Sequence, residues 1–160
     1  MSIILGIDPG SRNTGFGVIH VKNGLLEHVS HGVIQLNPKD GFPARMRDLG
    51  QSLKKIFSKY QPNIVVIEKI FLGKNADSAF KLGHARGVAM YEAAVAGAEV
   101  LEYATRLVKK GITGKGSAQK EDVQVMLQRF LKIQKIKSLD ASDALALAVY
   151  QATKASTRGR

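Results

Sequence analysis

The chain has 160 residues, 44% hydrophobic and 23% charged, which suffices for one buried core and makes a single domain the expectation. Its 24 basic against 13 acidic side chains give +11, a surplus that favours nucleic acid or an anionic membrane surface as partner. There is no cysteine, which excludes disulfides, thiolate-zinc sites and thiol nucleophiles. No apolar run approaches the roughly 20 residues that span a bilayer, and Met1-Ser2-Ile3-Ile4-Leu5 lacks a charged signal-peptide start, so no membrane partner and a cytoplasmic location are expected.

Ile3-Ile4-Leu5-Gly6-Ile7 is a short apolar run closed by Asp8-Pro9-Gly10, which predicts a buried strand with Asp8 at its exit. A second strand is expected over Gly15–Val21. Asn23-Gly24 between apolar flanks is a type I′ hairpin signal leading to a third over 25–36, which completes an antiparallel meander. Pro43 to Tyr60, with Met46, Leu49, Leu53, Ile56 and Phe57 at helical spacing, predicts an amphipathic helix stopped by Gln61-Pro62-Asn63. Ile64-Val65-Val66-Ile67 is too apolar to be half exposed, so it is expected as a buried strand parallel to the first, ending at Glu68 as the first ends at Asp8. A long helix follows over Asp77–Ala96 and a fifth strand over Glu99–Tyr103. Residues 111–117, Gly-Ile-Thr-Gly-Lys-Gly-Ser, read as a flexible loop. Helices are expected from about Ala118 to Leu131 and from Asp140 to Thr153, with 156–160 a disordered basic tail beyond a domain spanning 1–155.

Charge is unevenly placed along these elements. Residues 1–105 carry 12 basic and 9 acidic side chains, whereas 106–137 carry 9 and 2, so the segment after Tyr103 is the expected phosphate contact. Against this background four acids stand out. Asp8 and Glu68 fall at the carboxyl ends of neighbouring parallel strands, where open α/β sheets bind their ligands. Asp140 and Asp143 are three apart and share one helix face. Each has an ordinary explanation: an Asp at a helix start caps free amides, and the glycines after Asp8 could supply positive φ in a tight hairpin. The Asp8 segment also resembles the phosphate loop of sugar-kinase, actin and chaperone ATPases, but those need a second nucleotide-binding lobe that 160 residues cannot provide. Buried like charges raise one another's pKa unless a cation neutralises them, so four converging acids point to a divalent metal bound through oxygen.

Longer motifs sharpen this reading. Ile4-Leu5-Gly6-Ile7-Asp8-Pro9-Gly10-Ser11-Arg12, Ile67-Glu68-Lys69, Lys74-Asn75-Ala76-Asp77-Ser78-Ala79, Leu82-Gly83-His84-Ala85-Arg86-Gly87 and Asp140-Ala141-Ser142-Asp143-Ala144-Leu145-Ala146 occur in an order that resembles the RuvC family of Holliday-junction resolvases. The resemblance implies an α/β, ribonuclease-H-like fold: a mixed five-stranded sheet, antiparallel meander then parallel strands, with helices on both faces. It implies a homodimer that nicks two opposed strands of four-way junction DNA in recombination and repair, using Mg²⁺, two ions per site, with Mn²⁺ able to substitute. Asp8, Glu68, Asp140 and Asp143 match the family's catalytic acids. Some members carry His at the last position, so Asp143 implies all-oxygen coordination.

The resemblance also assigns Lys109 and Lys120 to the neighbourhood of the scissile phosphate, where a lysine stabilises developing negative charge. It places an aromatic, here Phe71, against bases at the open junction centre; packing of Phe71 in the core is the alternative. Further DNA contacts are expected at Arg12, Lys74, Asn75, Ser78, Lys110 and Lys115. Gly83 and Gly87, four apart on a helix, admit close approach of a second helix, either within the monomer or at the dimer seam that the resemblance favours. The RuvA–RuvB branch-migration complex is the implied partner. A same-fold nuclease for another branched or hybrid nucleic acid, and a non-catalytic DNA-binding protein, are the competing readings.

Overall fold

A computed structural model of the protein describes residues 2–69 and 75–158. Its five strands are β1 (Ser2–Asp8), β2 (Asn13–Lys22), β3 (Leu25–Gln35), β4 (Ile64–Glu68) and β5 (Glu99–Tyr103). They form one sheet in the order β3-β2-β1-β4-β5. β1, β2 and β3 pair antiparallel, whereas β4 pairs parallel to β1 and β5 parallel to β4, as the sequence leads one to expect. The turn between β2 and β3 is set by Asn23 (φ 51) and Gly24 (φ 78), both left-handed as a type I′ turn requires.

Five helices cover the sheet: α1 (Phe42–Tyr60), α2 (Ala76–Val95), α3 (Thr105–Thr113), α4 (Lys120–Leu131) and α5 (Leu139–Arg158). Helix α1 has proline in its first turn and ends where Gln61 takes a left-handed conformation (φ 46), its amide bonding back to the Phe57 carbonyl. One core lies between the sheet and α1 with α2, built on Leu5, Ile7, Leu49, Leu53, Phe57, Val65 and Ile67. The other lies beneath α5 with α3 and α4, built on Ile4, Ile19, Val66, Val108, Leu127 and Leu145. Alternation along β1 and β4 therefore sends Ile7 and Ile67 to the α1/α2 side, and the acids that follow them to the α5 side.

Two expectations are corrected. The stretch read as a flexible loop from 111 is helical as far as Thr113, the last residue of α3, which ends only where Gly114 turns left-handed (φ 82). Gly111 lies within that helix against the Tyr150 ring, where a Cβ would collide, so its role is close packing onto α5 rather than flexibility. The last helix also runs beyond Thr153, to Arg158. No helix among the described residues is long and apolar enough to cross a membrane.

Candidate active site

β1 and β4 are in register, Ile7 opposite Ile67, so the residue after each places two carboxylates side by side at one end of the sheet. The chain past Asp8 is fixed by Thr14, a buried threonine whose hydroxyl donates to the Gly10 carbonyl (3.0 Å) and accepts from the Gly10 amide (3.1 Å). Neither Gly10 nor Gly15 has positive φ, so the hairpin explanation for these glycines fails. Close approach explains Gly15 instead. It pairs with Asp8 across β1 and β2, and a Cβ on it would land on the carbonyl oxygen of Asp140. Gly6 stands in the same relation to the Ala144 carbonyl, and Gly17 to Leu145. Three glycines thus let the first turns of α5 lie directly on the strands, which delivers Asp140 and Asp143 to Asp8.

The resulting cleft is lined by Asp8, Glu68, Thr105, Lys109 and Asp143, with Val108, Val123, Ala146 and Leu147 behind them. Burial pushes the Asp8 carboxyl up to about 8, helped by the charges of Glu68, Asp143 and Asp140 and by a hydrogen bond with Glu68. Burial also raises Asp143, against the opposing pull of Lys120, whose ammonium donates to its carboxylate at 2.6 Å. The Lys120 ammonium is in turn held protonated by that contact. Lys120 begins α4, and Lys109 reaches the cleft from α3, so both lysines expected near the acids are found there. Glu68 accepts a hydrogen bond from the Thr105 hydroxyl.

The donor chemistry fits a hard divalent cation. It is all oxygen, among the described residues only Lys120 and Lys109 bring counter-charge to the cleft, and Asp8 is raised first by burial and then by its acidic neighbours. The acids are gathered rather than closed into a cage: among the described residues no three acidic or histidine side chains have metal-holding geometry. Asp143 is turned onto Lys120, and Glu68 onto Thr105.

The other expected residues are spread more widely. Arg12, Lys110 and Lys115 are exposed. Asn75 caps α2, its side-chain oxygen accepting from the Ser78 amide at 3.1 Å. Among the described residues nothing lies within 4 Å of where a Cβ on Gly83 or Gly87 would stand on the outer side of α2. Phe71 and Lys74 lie outside the described residues. Two features of the site were not anticipated. Thr105 belongs to the unpredicted α3, and the signal for that helix was present in Val108 and Ile112, four apart before Gly114. Arg86, inside a quoted motif, donates to the Glu68 carbonyl (3.3 Å) from behind.

The sheet order, with strand-end acids meeting acids at a helix start, defines a ribonuclease-H-like nuclease. The family model for the crossover junction endodeoxyribonuclease RuvC matches residues 4–151. A RuvC of Bdellovibrio bacteriovorus is 63% identical over 150 residues, covering 94% of this chain and 89% of the relative. One from Haemophilus ducreyi is 46% identical over 152 residues, covering 95% and 79%. The solved structure of T. thermophilus RuvC in complex with Holliday junction substrate superposes with a TM-score of 0.92 at 28% identity, covering 99% of this chain and 97% of that one. The chain belongs to the RuvC family of crossover junction endodeoxyribonucleases.

Proposed function

We propose that the protein resolves four-way DNA junctions in recombination and repair by hydrolysing phosphodiesters in two opposed strands, with Mg²⁺ held by Asp8, Glu68, Asp140 and Asp143. The observation that carries this assignment is the convergence of four acids whose buried member, Asp8, is driven to about 8. Asp8, which feels the charges of the other three acids, would be shared between the ions, and Glu68 would hold the ion that activates water. When bound, two such ions activate the water and neutralise charge on the departing 3′ oxygen, and Mn²⁺ can replace them.

The chain's own residues supply the rest. Lys120 holds positive charge beside Asp143, where negative charge develops on the phosphate, and Lys109 does so from α3. Arg12, Lys110 and Lys115 offer exposed charge to the DNA backbone, and Asn75 with Ser78 meets it at the start of α2. Phe71 stacks on bases at the junction centre and Lys74 contacts the adjoining phosphate.

A second copy completes the enzyme. The outer side of α2 exposes Phe80 (69%), Tyr91 (66%) and Val95 (64%) on the side where Gly83 and Gly87 stand open. Such a stripe on an otherwise basic protein suits an isologous helix pair, and a two-fold dimer presents two sites to two equivalent strands. Membership of the family extends the proposal to RuvA–RuvB as partner and to the cytoplasm as the place of action.

The test is cleavage of a mobile four-way junction, a linear duplex and an RNA–DNA hybrid, each with and without Mg²⁺. The expected result is paired nicking of the junction alone, dependent on the metal. Equal cleavage of the hybrid, or unaltered action in a chelator, would overturn the proposal.

A further inference from the structure

We propose that Thr105, Arg86 and Glu102 are positioning residues for Glu68, a clamp that sets the rotamer and height of this acid; the inference rests on the metal-site reading above. Asp8, Asp140 and Asp143 are located by backbone laid against backbone at Gly6 and Gly15. Glu68 ends β4, and among the described residues no glycine presses a helix onto it. Beyond a hydrogen bond with Asp8, what holds it comes from three other elements. The Lys69 amide donates to the Tyr103 carbonyl (2.9 Å), which carries the β4–β5 ladder one step past Glu68. From α2, the Arg86 guanidinium donates to the Glu68 carbonyl (3.3 Å) while forming an ion pair with Glu102 on β5. From the first residue of α3, the Thr105 hydroxyl donates to Oε1 of the Glu68 carboxylate.

Each contact suits placement better than stability. Ala104 caps α3 with no side-chain hydrogen bond, and the hydroxyl of the next residue, Thr105, donates out of its own helix to Glu68 at the end of β4. A hydroxyl donated to one carboxylate oxygen fixes the rotamer and leaves the other oxygen to the cleft. Arg86 and Glu102 retain 20% and 36% side-chain exposure, so breaking this half-buried pair also costs some stability. Their geometric effect is larger, because an outer contact that orients a metal ligand typically changes affinity or rate by about 10- to 100-fold.

The experiment compares Thr105→Val, Thr105→Ser and Arg86→Gln with the full-length wild type in four measurements. These are single-turnover junction cleavage, junction affinity, thermal unfolding midpoint, and Mn²⁺ binding without DNA followed by electron paramagnetic resonance. Thr105→Val is expected to lower the cleavage rate about 10-fold and weaken Mn²⁺ binding about as much. Junction affinity and unfolding midpoint should stay at wild-type values, and Thr105→Ser should restore the rate to within about 2-fold. Arg86→Gln should act in the same direction. Wild-type cleavage and Mn²⁺ binding in Thr105→Val, no rescue by serine, or parallel loss of stability would overturn the clamp. Asp8→Asn in the same assay separates the two levels: if it cleaves normally the metal site itself is wrong, whereas if it is dead and Thr105→Val is normal only the clamp fails.

Discussion

The two faces of the sheet are packed by different means. On one face the backbone of α5 rests on β1 and β2 over Gly6, Gly15 and Gly17. On the other, α1 and α2 stand off the strands on side chains, Leu49, Leu53 and Phe57 from α1 and Ala85, Ala89 and Ala93 from α2. The first arrangement fixes distance, and it is the face that carries the acids. The second tolerates adjustment, and it turns an apolar helix face outward. Under the function proposed above, chemistry and assembly would fall on opposite sides of one sheet.

Substitutions on the α5 face should break chemistry first. Asp8→Asn should abolish junction cleavage while leaving binding measurable by gel shift; near-normal nicking would remove the basis for the contrast. Gly15→Ala, whose methyl would meet the Asp140 carbonyl, should lift the start of α5 and cost about 100-fold or more in cleavage rate. Overpacking of this kind should also lower stability by about 1–3 kcal/mol, measurable by denaturant unfolding. Lys120→Met should reduce turnover more than affinity, and an equal loss in both would make Lys120 a phosphate contact alone.

The other face should respond differently. Tyr91→Glu on the open side of α2 should shift the protein toward monomer in sedimentation velocity while leaving the fold intact by circular dichroism. A dimer of unchanged affinity would place the seam elsewhere. A further expected effect is on pH dependence. The Asp8 carboxyl lies at about 8 in the folded protein against 3.8 in the unfolded chain, so between those values the folded state keeps a proton that the unfolded state has released. Metal-free stability therefore falls as pH rises from about 4 to about 8, and divalent-ion affinity rises over the same window as the proton is displaced. Thermal melts of wild type and Asp8→Asn in chelator check the sign, with the variant expected to show the flatter profile.

Much of this was legible from the sequence because its signals were local. The run before Asp8, the β-branched run before Glu68 and the Asn23-Gly24 turn each specify their own element; Asp8 and Glu68 appear where two of these stop, and Asp140 and Asp143 where the last helix begins. What escaped required knowledge of contact. Gly15 reads equally well as a turn residue until Asp140 is seen against it, and Gly111 reads as flexibility until Tyr150 is seen against it. Helix α3 was short and hidden by its glycines, and Thr105 went with it. Arg86 was present in a motif, but a side chain that acts on the carbonyl of a residue 18 positions away leaves no periodic trace.

The glycine seam has one further consequence. A contact made of main-chain atoms has no rotamers to populate, so the separation of Asp140 from Asp8 does not depend on side-chain entropy and should vary little with temperature. Glu68 is held through the rotatable bonds of Thr105 and Arg86, and its placement carries that entropy. On warming, the site should loosen at one acid while the other three keep their spacing, so activity would fade before the fold does.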